Sequence, residues 1–204
     1  VKKAVFFGAH TDDEMICAGT LHRLWRMKTE VHVVSFAPAA TRNDAQGGEM
    51  SLKLVRPEWE DAMDYLNVSH ANRHLVGIMP SVDLHPHRQQ ICQWIFDYCE
   101  KVKPDVAFTL SPDDENTAHA IVGIEAERVM RGRVPTVIRC QFPWNYSIGK
   151  ANLYVRLEPE DLECKALVID AYVSQRFRYG YKEMLLAYAK GDGLSVKVPA
   201  AERF

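Results

Sequence analysis

The chemistry of this chain is concentrated in one short stretch, Ala9-His10-Thr11-Asp12-Asp13-Glu14, which follows the first strand-like run. An imidazole and three carboxylates on one strand-to-helix turn repel and raise one another's pKa, and a divalent cation relieves that repulsion. The competing reading is plain: Asp12 and Asp13 cap the following helix and His10 is a hydrogen-bonded strand-end residue. His119 adds weight to the first reading, because it follows the Ser111-Pro112-Asp113-Asp114-Glu115-Asn116-Thr117 loop that leaves another strand. In a parallel sheet those two loops can face each other across the switch point. His10, Asp13 and His119, with open positions left over, suit catalytic zinc. A two-His, one-carboxylate set equally suits Fe(II) or another divalent metal. Asp12 faces away from a liganding Asp13 and is therefore the candidate general base toward an attacking water.

Short apolar runs rich in Val, Phe and Ile alternate with segments of helical period, the pattern of repeated βα units around a parallel sheet. Strands are expected at 3–8, 30–37, 74–78, 105–110 and 136–142, with a short one at 153–157. Helices are expected at 13–27, with Asp12 or Asp13 at its cap, at 56–66 with Pro57 in its first turn, at 88–102, and from Ala118 or His119 onward. Two more fill 160–190, broken around 174–179 and followed by a Gly191-Asp192-Gly193 turn. The fold class that follows is α/β, a single-domain Rossmann-like three-layer sandwich with a mostly parallel sheet, spanning residues 1–204. Pro38 to Met50 and Leu110 to Thr117 read as loops at the carboxyl ends of strands, where open α/β sheets place their ligands.

The bulk numbers exclude several function classes. Across 204 residues the net charge is -2, from 25 Lys and Arg against 27 Asp and Glu, so no broad positive field exists to attract nucleic acid. No apolar run is long enough to insert in a membrane and no signal-peptide pattern precedes the first strand, so a cytoplasmic location is expected. Five cysteines without a CxxC pair point to reduced, mostly buried thiols. Trp59, Trp94, Phe96 and Tyr98 fall at helical spacing and read as core.

The sequence resembles the PIG-L or LmbE-like de-N-acetylases, zinc enzymes that remove acetyl groups from N-acetylglucosamine conjugates. AHTDDEMICAGTL is similar to their AHPDDE motif, RPEWEDAMDYLNV to a helix ending in LGV, PDVAFTLSPDDENTAHA to a PDVV strand and HPDH loop, KALVIDAYVSQ to a K-Al-H-SQ helix, and AAERF to a YAEAF ending. The resemblance implies that His10, Asp13 and His119 are the zinc ligands, that Asp12 is the base, and that the reaction is amide hydrolysis of an N-acyl amino sugar. The implied partner is a small-molecule amino-sugar conjugate, with a homo-oligomer as an option.

Three departures bear on function. Thr11 replaces the motif's Pro. Asn116 stands where the HPDH loop has its first His, and Asn can donate to an oxyanion but cannot protonate a leaving amine. Asp12 must then act as both base and acid, or His85 or His87 must supply the proton. Tyr172 stands where the last helix of the motif has His. These departures keep two alternatives open: hydrolysis of a different N-acyl amide, formyl or nucleoside-linked, or a degenerate member that binds metal and ligand without turnover. Arg56, Asp83, Trp144, Tyr146 and Tyr172 are the candidate substrate-binding residues, the aromatic pair 144 and 146 as platforms for a sugar ring.

Overall fold

The computed structural model describes residues 1–145, 150–177 and 180–204. Five parallel strands form the main sheet: β1 (Lys3–Gly8), β2 (Glu30–Ser35), β3 (Arg73–Leu75), β4 (Val106–Leu110) and β5 (Thr136–Cys140), in the order β3-β2-β1-β4-β5. Strands β1, β2 and β4 are buried almost throughout. That is why they read as continuous apolar runs rather than as an alternating pattern. Helices α1 (Ala18–Arg26), α2 (Glu49–Tyr65) and α5 (Pro159–Ala171) pack together, whereas α3 (Arg88–Val102) packs on α4 (Thr117–Met130), so helices cover both sides of the sheet. The chain reverses direction across the sheet between β1 and β4, which places the switch-point crevice at the carboxyl ends of those two strands.

The C-terminal part differs from expectation in an instructive way. Helix α6 (Tyr181–Ser195) runs straight through Gly191-Asp192-Gly193 instead of ending before it. A Cβ on Gly193 would sit 2.5 Å from the Ala200 Cα, so this glycine serves the close return of the chain and not a turn. That return delivers β7 (Ala201–Arg203), unexpected from the sequence, which pairs antiparallel with β6 (Tyr154–Arg156). Helix α2 likewise begins at Glu49, seven residues before Arg56, and carries Pro57 in its interior. Proline forfeits one backbone hydrogen bond, but burial of Ser51, Val55, Trp59, Ala62 and Met63 along one face holds the helix together. All five cysteines are free, four of them buried. Among the described residues no helix is long and apolar enough to cross a membrane.

Candidate metal centre

His10 leaves the end of β1, and Asp13 opens a single 3-10 turn (Asp13–Ile16) before α1. The expected cap is not there: Asp12 makes no capping bond to that turn, and α1 is preceded by Cys17, which has none either. The first free N–H groups of α1, from Gly19 and Thr20, donate instead to the carboxylate of Glu202 on β7, at 3.1 and 2.7 Å. Lys165 of α5, 1% exposed, donates to Glu202 at 2.6 Å and to the carbonyls of Met15 and Ile16 at 2.7 and 2.8 Å. The carboxylates of the turn are thereby released from capping duty.

What they face is a compact donor set. One ligand atom from each of His10, Asp13 and His119 lies within 4.8 Å of the others. His119 Nε2 is 3.1 Å from Asp13 Oδ1 and 3.3 Å from His10 Nδ1. Each residue's remaining polar atom is tied. His10 Nε2 meets the Ser81 carbonyl at 3.3 Å, His119 Nδ1 meets Asp114 Oδ2 at 3.1 Å, and Asp13 Oδ2 accepts the His10 backbone N–H at 2.8 Å. This is the outer-shell arrangement that fixes imidazole tautomers for a metal, leaving one lone pair per ligand aimed inward. The residues fit a divalent cation with open coordination positions.

The electrostatics agree. Burial would raise the Asp13 pKa, but the charge of His119 and the hydrogen bonds of both histidines overcome it and hold this carboxyl well below the usual range. Burial would lower the His119 pKa, yet Asp13 and Asp114 push it up to about 10. The pocket thus demands a positive charge at the place where three lone pairs converge, and a proton supplies it when no cation does. Beneath the turn, burial drives the Glu14 carboxyl well above its ordinary value, helped by Asp12 and Asp13 and opposed by the hydrogen bond from Tyr172.

A family model described as PIG-L, GlcNAc-PI de-N-acetylase, matches residues 5–130, a span that holds His10, Asp12, Asp13, Asp114 and His119. The chain belongs to this family. Among solved structures, N,N'-diacetylchitobiose deacetylase from Pyrococcus horikoshii aligns with a TM-score of 0.77 at 18% identity, over 100% of this chain and 82% of that one. A zinc-inhibited form of teicoplanin deacetylase gives 0.76 at 16%, over 99% and 96%. The 4-carboxy-2-hydroxymuconate hydratase from Pseudomonas putida KT2440 gives 0.81 at 17%, over 100% and 95%. Among curated proteins no match was found. At these identities the structural likeness speaks for the fold alone, which serves deacetylases and a hydratase alike.

Within this family member, the remaining candidates separate by position. Asp12, 6% exposed, and Asn116 line a cavity of about 70 Å³ with His10, Asp13 and His119, walled by Met15, Phe142, Trp144 and Tyr181. Asn116 is also the N-cap of α4, its Oδ1 accepting the Ala118 N–H at 3.0 Å. Trp144 stacks on Phe142 at 4.5 Å, and Phe142 stacks on His119 at 5.4 Å, so an aromatic column leads from His119 to an open groove of about 650 Å³. Tyr146 lies outside the described residues. Tyr172 is 1% exposed and spends its hydroxyl on the Thr11 carbonyl and Glu14, which makes it a support under the turn. Arg56 is exposed in mid-α2, and Asp83 is exposed, accepting the His85 N–H at 2.9 Å in a local turn. Neither lines the crevice. His85 and His87 sit in a 3-10 turn with no buried residue and do not line the crevice. The sequence reading overlooked Asp114, Ser81 and Glu202. Asp114 had a visible signal, an acid five residues before His119; the Ser81 carbonyl and Glu202 had none, being brought in from distant segments.

Proposed function

We propose that the protein is a metal-dependent hydrolase that removes an N-acetyl group from an N-acetylglucosamine-type amino-sugar conjugate, with zinc held by His10, Asp13 and His119. One observation carries the reading: three inward lone pairs, each fixed by an outer partner, stand beside the carboxylate of Asp12 in one crevice of a de-N-acetylase family member. A bound divalent cation supplies Lewis acidity toward the acyl oxygen and makes water more acidic. Asp12 accepts the proton of the attacking water on its carboxylate and returns it to the amine nitrogen as the C–N bond breaks. That double duty follows from Asn116, which lines the crevice with its Oδ1 committed to Ala118 and only amide N–H groups left to offer. They can donate to the developing oxyanion but hold no proton to release. Asp114 keeps the His119 ring oriented throughout.

The test is acetate release from N-acetylated amino sugars by protein loaded separately with zinc, Fe(II) or manganese. The metal series matters because one structural neighbour is known in a zinc-inhibited form. Asp12→Asn should keep the metal and lose turnover by about 10²- to 10⁴-fold. Wild-type turnover in that variant sinks the assignment of the base. Asn116 and the buried Tyr172 favour a second reading, an N-acyl amide hydrolase for a formylated or nucleoside-linked amine, and a substrate panel that includes these amides separates the two. Metal and ligand binding with no turnover on any member identifies a degenerate binder.

A further inference from the structure

The crevice that holds His10, Asp12, Asp13 and His119 measures about 70 Å³, room for reacting atoms but not for a whole substrate, so the groups on either side of a scissile amide must continue into neighbouring space. Three spaces share walls with it among the described residues. One of about 420 Å³, reached across Met15 and Tyr181, carries Asp170, Arg176, Lys182 and Glu183. The groove of about 650 Å³ beyond Trp144 carries Glu115 beside its aromatic wall. The third, of about 180 Å³, shares His10 and Asn116 with the crevice and is otherwise lined by Ala40, Ser81, Val82 and Ala118. No Asp, Glu, Lys or Arg is among those walls. Asn116 Oδ1 is committed to the Ala118 N–H at 3.0 Å, and the Ser81 carbonyl meets His10 Nε2 at 3.3 Å, while Ala40, Val82 and Ala118 supply methyl surface. The space is far above the roughly 10–15 Å³ that one water needs. Small side chains at 40 and 118 leave it open.

Position relative to the chemistry decides which group enters. His10 presents Nδ1 to His119 at 3.3 Å and Nε2 to the Ser81 carbonyl, so its ring stands between the crevice and the uncharged space. Asp12 lines the crevice and not that space. The amine nitrogen takes its proton from Asp12 and therefore leaves on the Asp12 side. In a trans amide the acyl chain and the amine substituent point away from each other, which sends the chain past His10. We propose that the uncharged space is an acyl-chain pocket that admits unbranched N-acyl groups longer than acetyl, with Ala40, Val82 and Ala118 setting the length. Water oxygen bonds to the acyl carbon, the C–N bond breaks, and the products are a short fatty acid and the free amine. The direction of the amide rests on the hydrolase reading; the preference of the pocket for an aliphatic chain does not.

The experiment compares acetate with butyrate, and N-acetylglucosamine with N-butyrylglucosamine, on the zinc-loaded protein. Each methylene taken out of water is worth roughly fourfold, so butyrate should bind up to about 15-fold tighter than acetate by calorimetry. The N-butyryl amide should be turned over with kcat/KM at least equal to that of the N-acetyl amide. Ala40→Leu and Val82→Trp fill the pocket, and each should abolish the advantage of the longer chain in both measurements. Val82 is 50% exposed, so its variant guards against an Ala40 variant that fails to fold. Zinc affinity, read by chelator competition, should match wild type in both. The pocket is overturned if butyrate binds no tighter than acetate, if the advantage survives both substitutions, or if zinc affinity falls along with it. A butyrate advantage that depends on Val82, with no amide turned over, upholds the pocket and sinks the hydrolase. Acetate release with the N-butyryl amide rejected does the reverse.

Discussion

Replacing Lys165 by Met tests how the turn that carries Asp12 and Asp13 is held. The ammonium group is buried, with bonds of 2.6 Å to Glu202, 2.7 Å to the Met15 carbonyl and 2.8 Å to the Ile16 carbonyl. In Lys165→Met, Glu202 keeps the N–H groups of Gly19 and Thr20 but loses its counter-charge, while two carbonyls of the 3-10 turn lose their donor. Removing one partner of a buried ion pair costs about 3–5 kcal/mol, because the survivor is left charged in a poor solvent. For a domain of this size that is roughly 6–20 °C in melting temperature, within the ~5–15 kcal/mol that a folded protein has in hand. The assay is calorimetric or circular-dichroism melting of metal-free protein, followed by metal titration at a temperature where the variant is folded. Metal affinity should fall too, since the turn that loses its anchor begins with Asp13. The double variant Lys165→Met, Glu202→Leu removes both charges and should lose less than the sum of the two single variants. A single variant that melts within 1–2 °C of wild type, on that ~6–20 °C scale, would refute the anchoring role.

Other expectations follow from the same site. His119, pushed up to about 10, gives the metal-free protein stability that is full below its ordinary value of 6.5 and is lost as pH rises toward about 10. A cation must displace that proton, so near neutral pH metal binding should release about one proton and tighten as pH rises. Calorimetry in buffers of different ionisation enthalpy reads this directly, and identical heats in all of them would contradict it. Asp114→Asn, which weakens the hold on His119 Nδ1, should lower metal affinity about 10- to 100-fold and, since it removes one of the two carboxylates that hold the buried His119 proton, also lower the melting temperature of the metal-free protein. Gly123→Ala places a Cβ 2.5 Å from the Leu110 carbonyl oxygen, against backbone that cannot step aside. It should cost about 1–3 kcal/mol in denaturant unfolding and also impair metal binding, because α4 carries His119.

Much of this molecule was written locally. Buried strands announce themselves as runs such as AVFFG and VAFTL, helix α3 begins and ends where its period does, and β1 keeps its expected bounds. The donor set of His10 and Asp13, with Asp12 between them, is legible as a candidate site because acids crowded on one strand-end turn have few uses, and His119 joins it because its loop leaves a strand beside the first. What the sequence could not decide was how the turn is capped and what orients the imidazoles. The cap of α1 comes from a carboxylate 183 positions away, and the His10 ring is aimed by a carbonyl 71 positions away. Local pattern encodes which residues are buried and in what period, since that depends on near neighbours. The pairing of a donor with an acceptor across the crevice exists only once the sheet order and the return of β7 have set those groups side by side.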